Sequence, residues 1–488
     1  MKSPALLAFL IVGSLALVAQ ASPPNVVLIV ADDMGYADMG TQGAKGFGTP
    51  HLDRLAAEGT RFTDFYVAQS VCTASRAALM TGCYPNRLGM HGAYNHTSRD
   101  GISSDEWLLS EMFKERGYAT GGAGKWHLGT RLKFHPLRHG FDEWLGIPYS
   151  NDNTKYHPTL AAEMPPLPLY DGEHVIERDP DQSQFTKRFT ERAVDFIERN
   201  ATRPFFLYMP HVMPHVPIFA SHEFKGRSQA GLYGDVMEEL DWSVGQVMAT
   251  LQRLQLDANT LVIFISDNGP FLSYGEHAGA ATPLREGKLT TFEGGVRVPC
   301  LVRWSGRIPA GRVCSEPFMA IDWLPTLTEI VGGQIPRLPI DGRSAAKLIL
   351  GDPAARTPHE ALFFYSGDAL QAVRSGAWKL HFPHPYITPA GEPGRGGKPS
   401  NFGMLAPASI RQSGVEGIAT RHGYRIEQLE LSLFNLSADP GETKNLAAEH
   451  PDVVKRLAAL AEPIRRELGD SLTKTPGVGL RSPGVDAP

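Results

Sequence analysis

Two runs, Asn25 to Val30 (NVVLIV) and Leu261 to Ser266 (LVIFIS), are almost wholly apolar, and each is followed by a polar pair, Asp32-Asp33 and Asp267-Asn268. A strand with one wet face alternates apolar and polar residues, so short unbroken apolar runs mark strands buried on both faces. Such strands belong to a parallel sheet with helices on either side. Tyr118 to Gly122, Pro204 to Met209 and Val298 to Trp304 are further strand candidates. Between them, Val236, Leu240, Val244, Val247 and Leu251 have helical spacing, which predicts a helix over 235–256. Thr49-Pro50 predicts an N-cap and first helical residue, with Gly59 closing that helix. Ser103 to Glu106 predicts a capping box ahead of a helix over 107–116. The alternation predicts an α/β domain over residues 22–358.

After about Pro358 the texture changes. Ala361 to Tyr365, Ala369 to Arg374 and Trp378 to Phe382 are closely spaced short strands suited to an antiparallel meander. Residues 385–417 are rich in Pro, Gly and Ser and read as a long surface loop, and 452–468 as an amphipathic helix. The prediction is a smaller α+β domain over 359–488. At the other end, Lys2, the apolar run Ala5 to Val18 and Ala19-Gln20-Ala21 read as a signal peptide over 1–21, so the protein is expected to be exported and, once cleaved, free of the membrane. Lys plus Arg is 47 against 52 for Asp plus Glu, a balance that argues against a nucleic-acid partner. Four cysteines in 488 residues cannot frame the fold, although export would permit a Cys300–Cys314 bridge. Asn95, Asn200 and Asn435 begin glycosylation sequons.

Ligands of open α/β sheets bind beyond the carboxyl ends of the strands. Here four such ends lead to Asp32-Asp33, to Asp267-Asn268, to Lys125 and His127, and to His211 and His215. Any one pair is explained by turn chemistry. Four together point to a shared site. The Asp and Asn oxygens suit Ca²⁺ or Mg²⁺ rather than zinc. With Lys125, His127 and Lys288 beside such a metal, the natural guest is a sulfate or phosphate ester. In Cys72-Thr73-Ala74-Ser75-Arg76, the cysteine is predicted at a helix N-terminus with Arg76 one turn on, an arrangement that binds anions and lowers a thiol pKa. A cysteine nucleophile and a buried structural cysteine both fit that local pattern.

The segment Cys72 to Arg76, continued by Leu79-Met80-Thr81-Gly82, resembles the signature of the type I sulfatases. Gly124-Lys125-Trp126-His127-Leu128-Gly129, Asn25 to Gly35, Ser266-Asp267-Asn268-Gly269 and Lys288 to Gly295 are similar to further motifs of that family, in order. Trp378-Lys379-Leu380 and Leu433 to Glu442 resemble its C-terminal domain. The commonest signature has Pro where this chain has Ala74. The resemblance implies an alkaline-phosphatase-like fold, with a large mixed, mainly parallel sheet sandwiched by helices and a smaller C-terminal α+β domain containing an antiparallel sheet. It implies a sulfuric ester hydrolase in which a maturation enzyme converts Cys72 to Cα-formylglycine. Its metal, usually Ca²⁺, would be held by Asp32, Asp33, Asp267, Asn268 and modified residue 72.

The resemblance also implies roles. One hydroxyl of the hydrated aldehyde attacks sulfur, and Lys125 and Lys288 neutralise the sulfate oxygens. His215, ahead of His211, protonates the leaving alcohol. Arg76 and His127 hold the hydrate, and His127 takes its second proton as sulfate leaves. Phe134 to Trp144 resembles the N-acetylgalactosamine-6-sulfatase branch, and Leu145 to Asp152 resembles arylsulfatase A, so the expected substrates are sulfated carbohydrates or aryl sulfates. Tyr156, His157 and Tyr274 are candidates for the sugar pocket. A phosphomonoesterase or phosphodiesterase of the same fold would be expected to carry Ser or Thr as nucleophile and more metal-binding His and Asp. A nonenzymatic carbohydrate-binding relative would have lost some of Cys72, Lys125, His127 or Lys288.

Overall fold

The structure is a computed structural model that describes residues 23–486 apart from 407 and 413. The expected signal peptide lies outside the described residues. All seven residues of Asn25–Ala31 are buried, and they form β1 at the centre of a ten-stranded sheet. The other strands are β2 (Thr60–Phe62), β3 (Ala119–Lys125), β4 (Glu143–Ile147), β5 (Pro168–Asp171), β6 (His174–Arg178), β7 (Phe205–Pro210), β8 (Thr260–Ser266), β9 (Cys300–Arg303) and β10 (Arg312–Cys314). Their spatial order is β10-β2-β9-β8-β1-β7-β3-β4-β5-β6. The central five, β8 to β4, are parallel, while β9 and β5 join antiparallel at either side.

Because side chains alternate across a strand, β1 feeds two cores. Val26, Leu28 and Val30 enter one, packed with Leu79, Met112 and Leu324 from the Cys72–Thr81, Leu109–Glu115 and Trp323–Val331 helices. Val27 and Ile29 enter the other with Leu52, Phe189, Leu240 and Val244, from the Pro50–Glu58, Phe185–Arg199 and Gly231–Arg253 helices. This is the two-sided burial that the unbroken apolar run requires. At Gly124 in β3 a side chain is excluded, since an added Cβ would lie 1.8 Å from the Pro210 carbonyl oxygen of β7.

Several local expectations need correction. The Leu109–Glu115 helix begins later than the Ser103 motif implies: the Glu111 carboxylate accepts from the Leu108 N–H at 2.8 Å, while the Ser103 hydroxyl serves only a turn, accepting from the Asp105 N–H. Thr49 precedes its helix as expected, but its hydroxyl accepts from the Gly40 N–H instead of capping. All four cysteines are free and buried. Cys300 and Cys314 flank Phe62 from opposite sides of β2, two strand spacings apart, about 9.5 Å and too far for a disulfide. The Asn200 amide is buried and donates to the Phe196 carbonyl, so this sequon offers no accessible acceptor.

In the C-terminal region, Leu362–Ser366, Ala369–Ser375 and Trp378–His381 form the expected meander, closed by Ser432–Asn435 into a four-stranded antiparallel sheet. The 385–417 segment is not simply a surface loop. His384–Pro389 pairs antiparallel with Tyr424–Leu429, and Gly414–His422 is helical. Both prolines of the strand lie on a two-stranded ribbon, where one edge needs no N–H donors.

This region grips the large sheet through buried charge. Lys379 lies fully buried between Glu293 (2.9 Å) and Glu442 (3.1 Å) and donates to the Thr291 carbonyl at 2.7 Å. Glu442 also accepts from the Glu293 N–H and faces His381, and Arg374 reaches Asp64 and the Tyr66 hydroxyl. Removing one partner from such a set strands a buried charge. Lys379→Met is expected to cost about 3–5 kcal/mol, read as a lowered urea midpoint; an unchanged midpoint would show that this network does not hold the two regions together.

Candidate active site

The carboxyl ends of β1, β3 and β8 bring Asp32, Asp33, Lys125, Asp267 and Asn268 together, as their sequence positions suggest. All are buried. Cys72 opens the Cys72–Thr81 helix against this cluster, its Sγ 3.6 Å from Asp32 Oδ1 and 3.3 Å from Lys288 Nζ. The helix ends where Gly82 adopts φ +71° and its N–H meets the Ala78 carbonyl. Arg76, one turn beyond Cys72, bridges three strand ends. It donates to Asp32 Oδ2 (3.0 Å), Asp267 Oδ2 (3.0 Å) and the Lys125 carbonyl (3.0 Å). These bonds commit Arg76 to the carboxylates, so it holds the frame of the site.

Lys125 Nζ lies 2.6 Å from Asp32 Oδ2, and Lys288 Nζ lies 2.6 Å from Asp33 Oδ1. Burial opposes charge on Asp32, but Lys125 and Arg76 outweigh it and hold its carboxyl well below the usual range. Burial followed by the neighbouring Asp32 charge lifts Asp267 to about 6. Burial pushes the Cys72 thiol up to about 12, against the pull of Lys125 and Lys288.

The two histidines differ in their free nitrogen. His127 Nε2 donates to the Tyr94 carbonyl at 2.6 Å, which leaves Nδ1 as the acceptor of the neutral ring. Burial, then Lys125, holds its pKa well below the ordinary value. His215 Nδ1 donates to the Val216 carbonyl, and its Nε2 lies 3.3 Å from Ser150 Oγ and 3.7 Å from Asp33 Oδ2. His211 points elsewhere, to Ser243 at 3.3 Å. Asp33, His127 and Leu289 all take positive φ, of 65°, 61° and 72°, a concentration of backbone strain typical of functional sites.

Two buried oxygens, Asp33 Oδ2 and Asn268 Oδ1, have no hydrogen-bond partner among the described residues. Oxygen atoms of Asp32 and Asp33, Cys72 Sγ and a His215 nitrogen lie within 4.8 Å of one another. Orphaned hard oxygens beside a carboxylate cluster fit a hard divalent cation, so the residues present accommodate the expected metal.

Cys72 opens onto a cavity of about 240 Å³, whose lining also includes Tyr94, His127, Ser150, Asp152, His215 and Arg421. One wall is formed by Ile410, Arg411, Gln412 and Gly414, from the segment that composition marks as loop, with Ile418, Arg421 and His422 just beyond it. Tyr156, His157 and Tyr274 do not line the cavity: Tyr156 is exposed, and Tyr274 is buried behind it, bonded to His422 at 2.9 Å. Sequence reasoning also passed over Ser150, Tyr94 and Arg421. Ser150 stands in a quoted motif, whereas Tyr94 acts through its backbone carbonyl and carries no residue-type signal.

The chain matches the family described as Sulfatase over residues 24–333 and the C-terminal region of aryl-sulfatase over 357–476. It belongs to the sulfatase family. It is 43% identical over 472 residues to arylsulfatase A of Bos taurus, covering 91% of this chain and 88% of that protein. It is 38% identical over 470 residues to N-acetylgalactosamine-6-sulfatase of Canis lupus familiaris, covering 91% and 86%. The PsFucS1 sulfatase from Pseudoalteromonas sp. superposes with a TM-score of 0.78 at 26% identity, covering 95% of this chain and 93% of that one. The protein is a sulfatase, an enzyme that hydrolyses sulfate esters. Among the described residues no helix is long and apolar enough to cross a membrane.

If the orphaned oxygens are metal donors, Ca²⁺ should raise the thermal midpoint of this sulfatase and raise that of Asn268→Ala far less. At a hundredfold excess over Kd the wild-type gain is about 2.7 kcal/mol. Equal shifts in both proteins would exclude Asn268 as a ligand.

Proposed function

We propose that this sulfatase removes sulfate from carbohydrates, with residue 72 acting as an aldehyde formed from Cys72 by a maturation enzyme. One observation carries the reading: Cys72 lines the pocket with its thiol between Asp32 (3.6 Å) and Lys288 (3.3 Å), beside the buried carboxylate cluster. The hydrated aldehyde supplies an oxygen nucleophile without needing a thiolate. Asp32, Asp33, Asp267, Asn268 and residue 72 would hold a Ca²⁺ ion, with Mg²⁺ as the alternative, which would supply Lewis-acid polarisation of the sulfate oxygens.

The protein's own groups do the rest. Lys125 and Lys288 place two fixed cations beside the sulfate, where they oppose the charge that grows as sulfur is attacked. Arg76 keeps Asp32 and Asp267 in register. His215 presents Nε2 to the leaving oxygen and, when protonated, delivers the proton the alcohol needs. His127, its Nδ1 made the acceptor by the Tyr94 carbonyl, receives the proton of the second hydroxyl, so the C–O bond to sulfate breaks and the aldehyde returns. No water has to reach sulfur. Ala74 supports this geometry through its N–H, which donates to the carbonyl of pocket-lining Gly92 at 3.3 Å; proline could not.

The pocket favours a sugar over a flat aromatic ring. Asp152, Asn153, Gln412, Arg421 and His422 surround the space above residue 72 with hydrogen-bonding groups. Burial pushes the Asp152 carboxyl up, but His215, His157 and His422 hold it below the usual range, so it is an ionised acceptor for sugar hydroxyls. The name of one relative, N-acetylgalactosamine-6-sulfatase, supports a sulfated sugar as substrate. The Met1–Ala21 segment supports export.

Two substitutions test the roles. Lys288→Ala is expected to lower kcat on an aryl sulfate by about 10²–10³-fold, measured per folded, mature enzyme; unchanged kcat would remove Lys288 from the reaction. Asp152→Ala is expected to raise KM for a sulfated N-acetylgalactosamine while sparing an aryl sulfate. Equal effects on the two substrates would count against sugar recognition by Asp152.

A further inference from the structure

A second cavity, of about 430 Å³, adjoins the catalytic pocket. The two share Val71, His91, Gly92, Leu289, Gly414 and Ile418, so together they form one continuous cleft. Its lining includes Ser70 and Thr290, close in sequence to the catalytic residues, and Tyr365, Asp368 and Val415 of the C-terminal region. A pocket of this size matches a small-molecule site rather than a packing defect.

The chemistry changes along the cleft. The catalytic pocket carries Lys288, Arg411 and Arg421, while the second cavity is lined by no Lys or Arg among the described residues. Its titratable side chains are Asp368 and His91, 2.9 Å apart, with the Asp368 side chain 65% exposed. The His91 hydrogen bond holds the Asp368 carboxyl below its ordinary range, so it is an ionised acceptor. Val415 and Ile418 add an apolar face. A carboxylate with no balancing lysine or arginine repels sulfate and uronate, yet it accepts hydroxyl hydrogen bonds well. A pyranose has this pairing of hydroxyl edges and apolar C–H face.

We propose that the second cavity is a subsite for an uncharged sugar residue next to the sulfated one, so that the enzyme acts on sulfate esters within a chain and not only on sulfated monosaccharides. The proposal rests on the carbohydrate-sulfatase reading. In it, the sulfated residue sits above residue 72 and its neutral neighbour passes His91 and Leu289 into the space beneath Asp368.

The test compares kcat/KM of the mature enzyme on four substrates: an aryl sulfate, a sulfated N-acetylgalactosamine, that sugar flanked by neutral hexoses in a trisaccharide, and the same sugar flanked by uronic acids. The neutral trisaccharide is expected to exceed the monosaccharide about tenfold. Val415→Trp, which fills the cavity, and Asp368→Ala, at an exposed position that threatens folding less, should each erase that advantage and leave aryl sulfate turnover unchanged. Equal values for monosaccharide and neutral trisaccharide, a preference for the uronic flank, or variants that keep the advantage would overturn the subsite. Aryl sulfate turnover with no cleavage of any saccharide would overturn the carbohydrate reading, and the subsite with it.

Discussion

Three carboxylates and three cations, nearly all inaccessible to water, meet at the ends of β1, β3 and β8. Asp32, Asp33 and Asp267 face Arg76, Lys125 and Lys288, so the formal charges balance. Isolated, any one of these charges would be costly to bury, and removing one partner from such a set typically costs about 3–5 kcal/mol. Arg76 is the keystone, because a single guanidinium ties two carboxylates and the end of a third strand to the Cys72 helix.

The backbone around this cluster is strained where the chemistry needs side chains aimed inward. Asp33, His127 and Leu289, each next to or among the proposed catalytic and metal-binding groups, adopt the left-handed conformation that costs a non-glycine residue about 1–2 kcal/mol. The rest of the fold sustains that cost. The two cores on either face of β1 fix the strand ends, and the Lys379–Glu293–Glu442 network fixes the loop that follows Lys288. The C-terminal region therefore acts twice, clamping the Lys288 loop and supplying Arg411, Gln412, Arg421 and His422 to a wall of the catalytic pocket.

How legible this was in the chain varies with the origin of each feature. The central strands were readable because burial on both faces leaves no polar residue until the strand stops, and the stopping residues are the site itself. The helix at Cys72 and the pairing of Lys125 with His127 followed the same way. The Ser103 capping box was misplaced because a Ser and a Glu three apart serve a turn as readily as a cap, and tertiary packing of Leu109 and Met112 chose the later start. The 385–417 segment misled for a different reason: its prolines and glycines suit a ribbon edge as well as a loop, and only pairing with Tyr424–Leu429 distinguishes them. At residue 72 the local pattern fits both an acidic thiol at a helix terminus and a buried cysteine, and only the packing shows that desolvation outweighs the helix terminus. Tyr94, which acts through a carbonyl, and Arg421, brought in from the far end of the chain, left no local pattern to read.

The central claim is that this constellation serves an aldehyde at position 72 and not a thiol. Mass spectrometry of the tryptic peptide Phe62–Arg76, taken from active enzyme produced in its own host, tests it most directly. The account predicts the mass loss of thiol-to-aldehyde conversion, in a fraction that tracks specific activity across preparations. Full activity from a preparation whose residue 72 is entirely cysteine would contradict it.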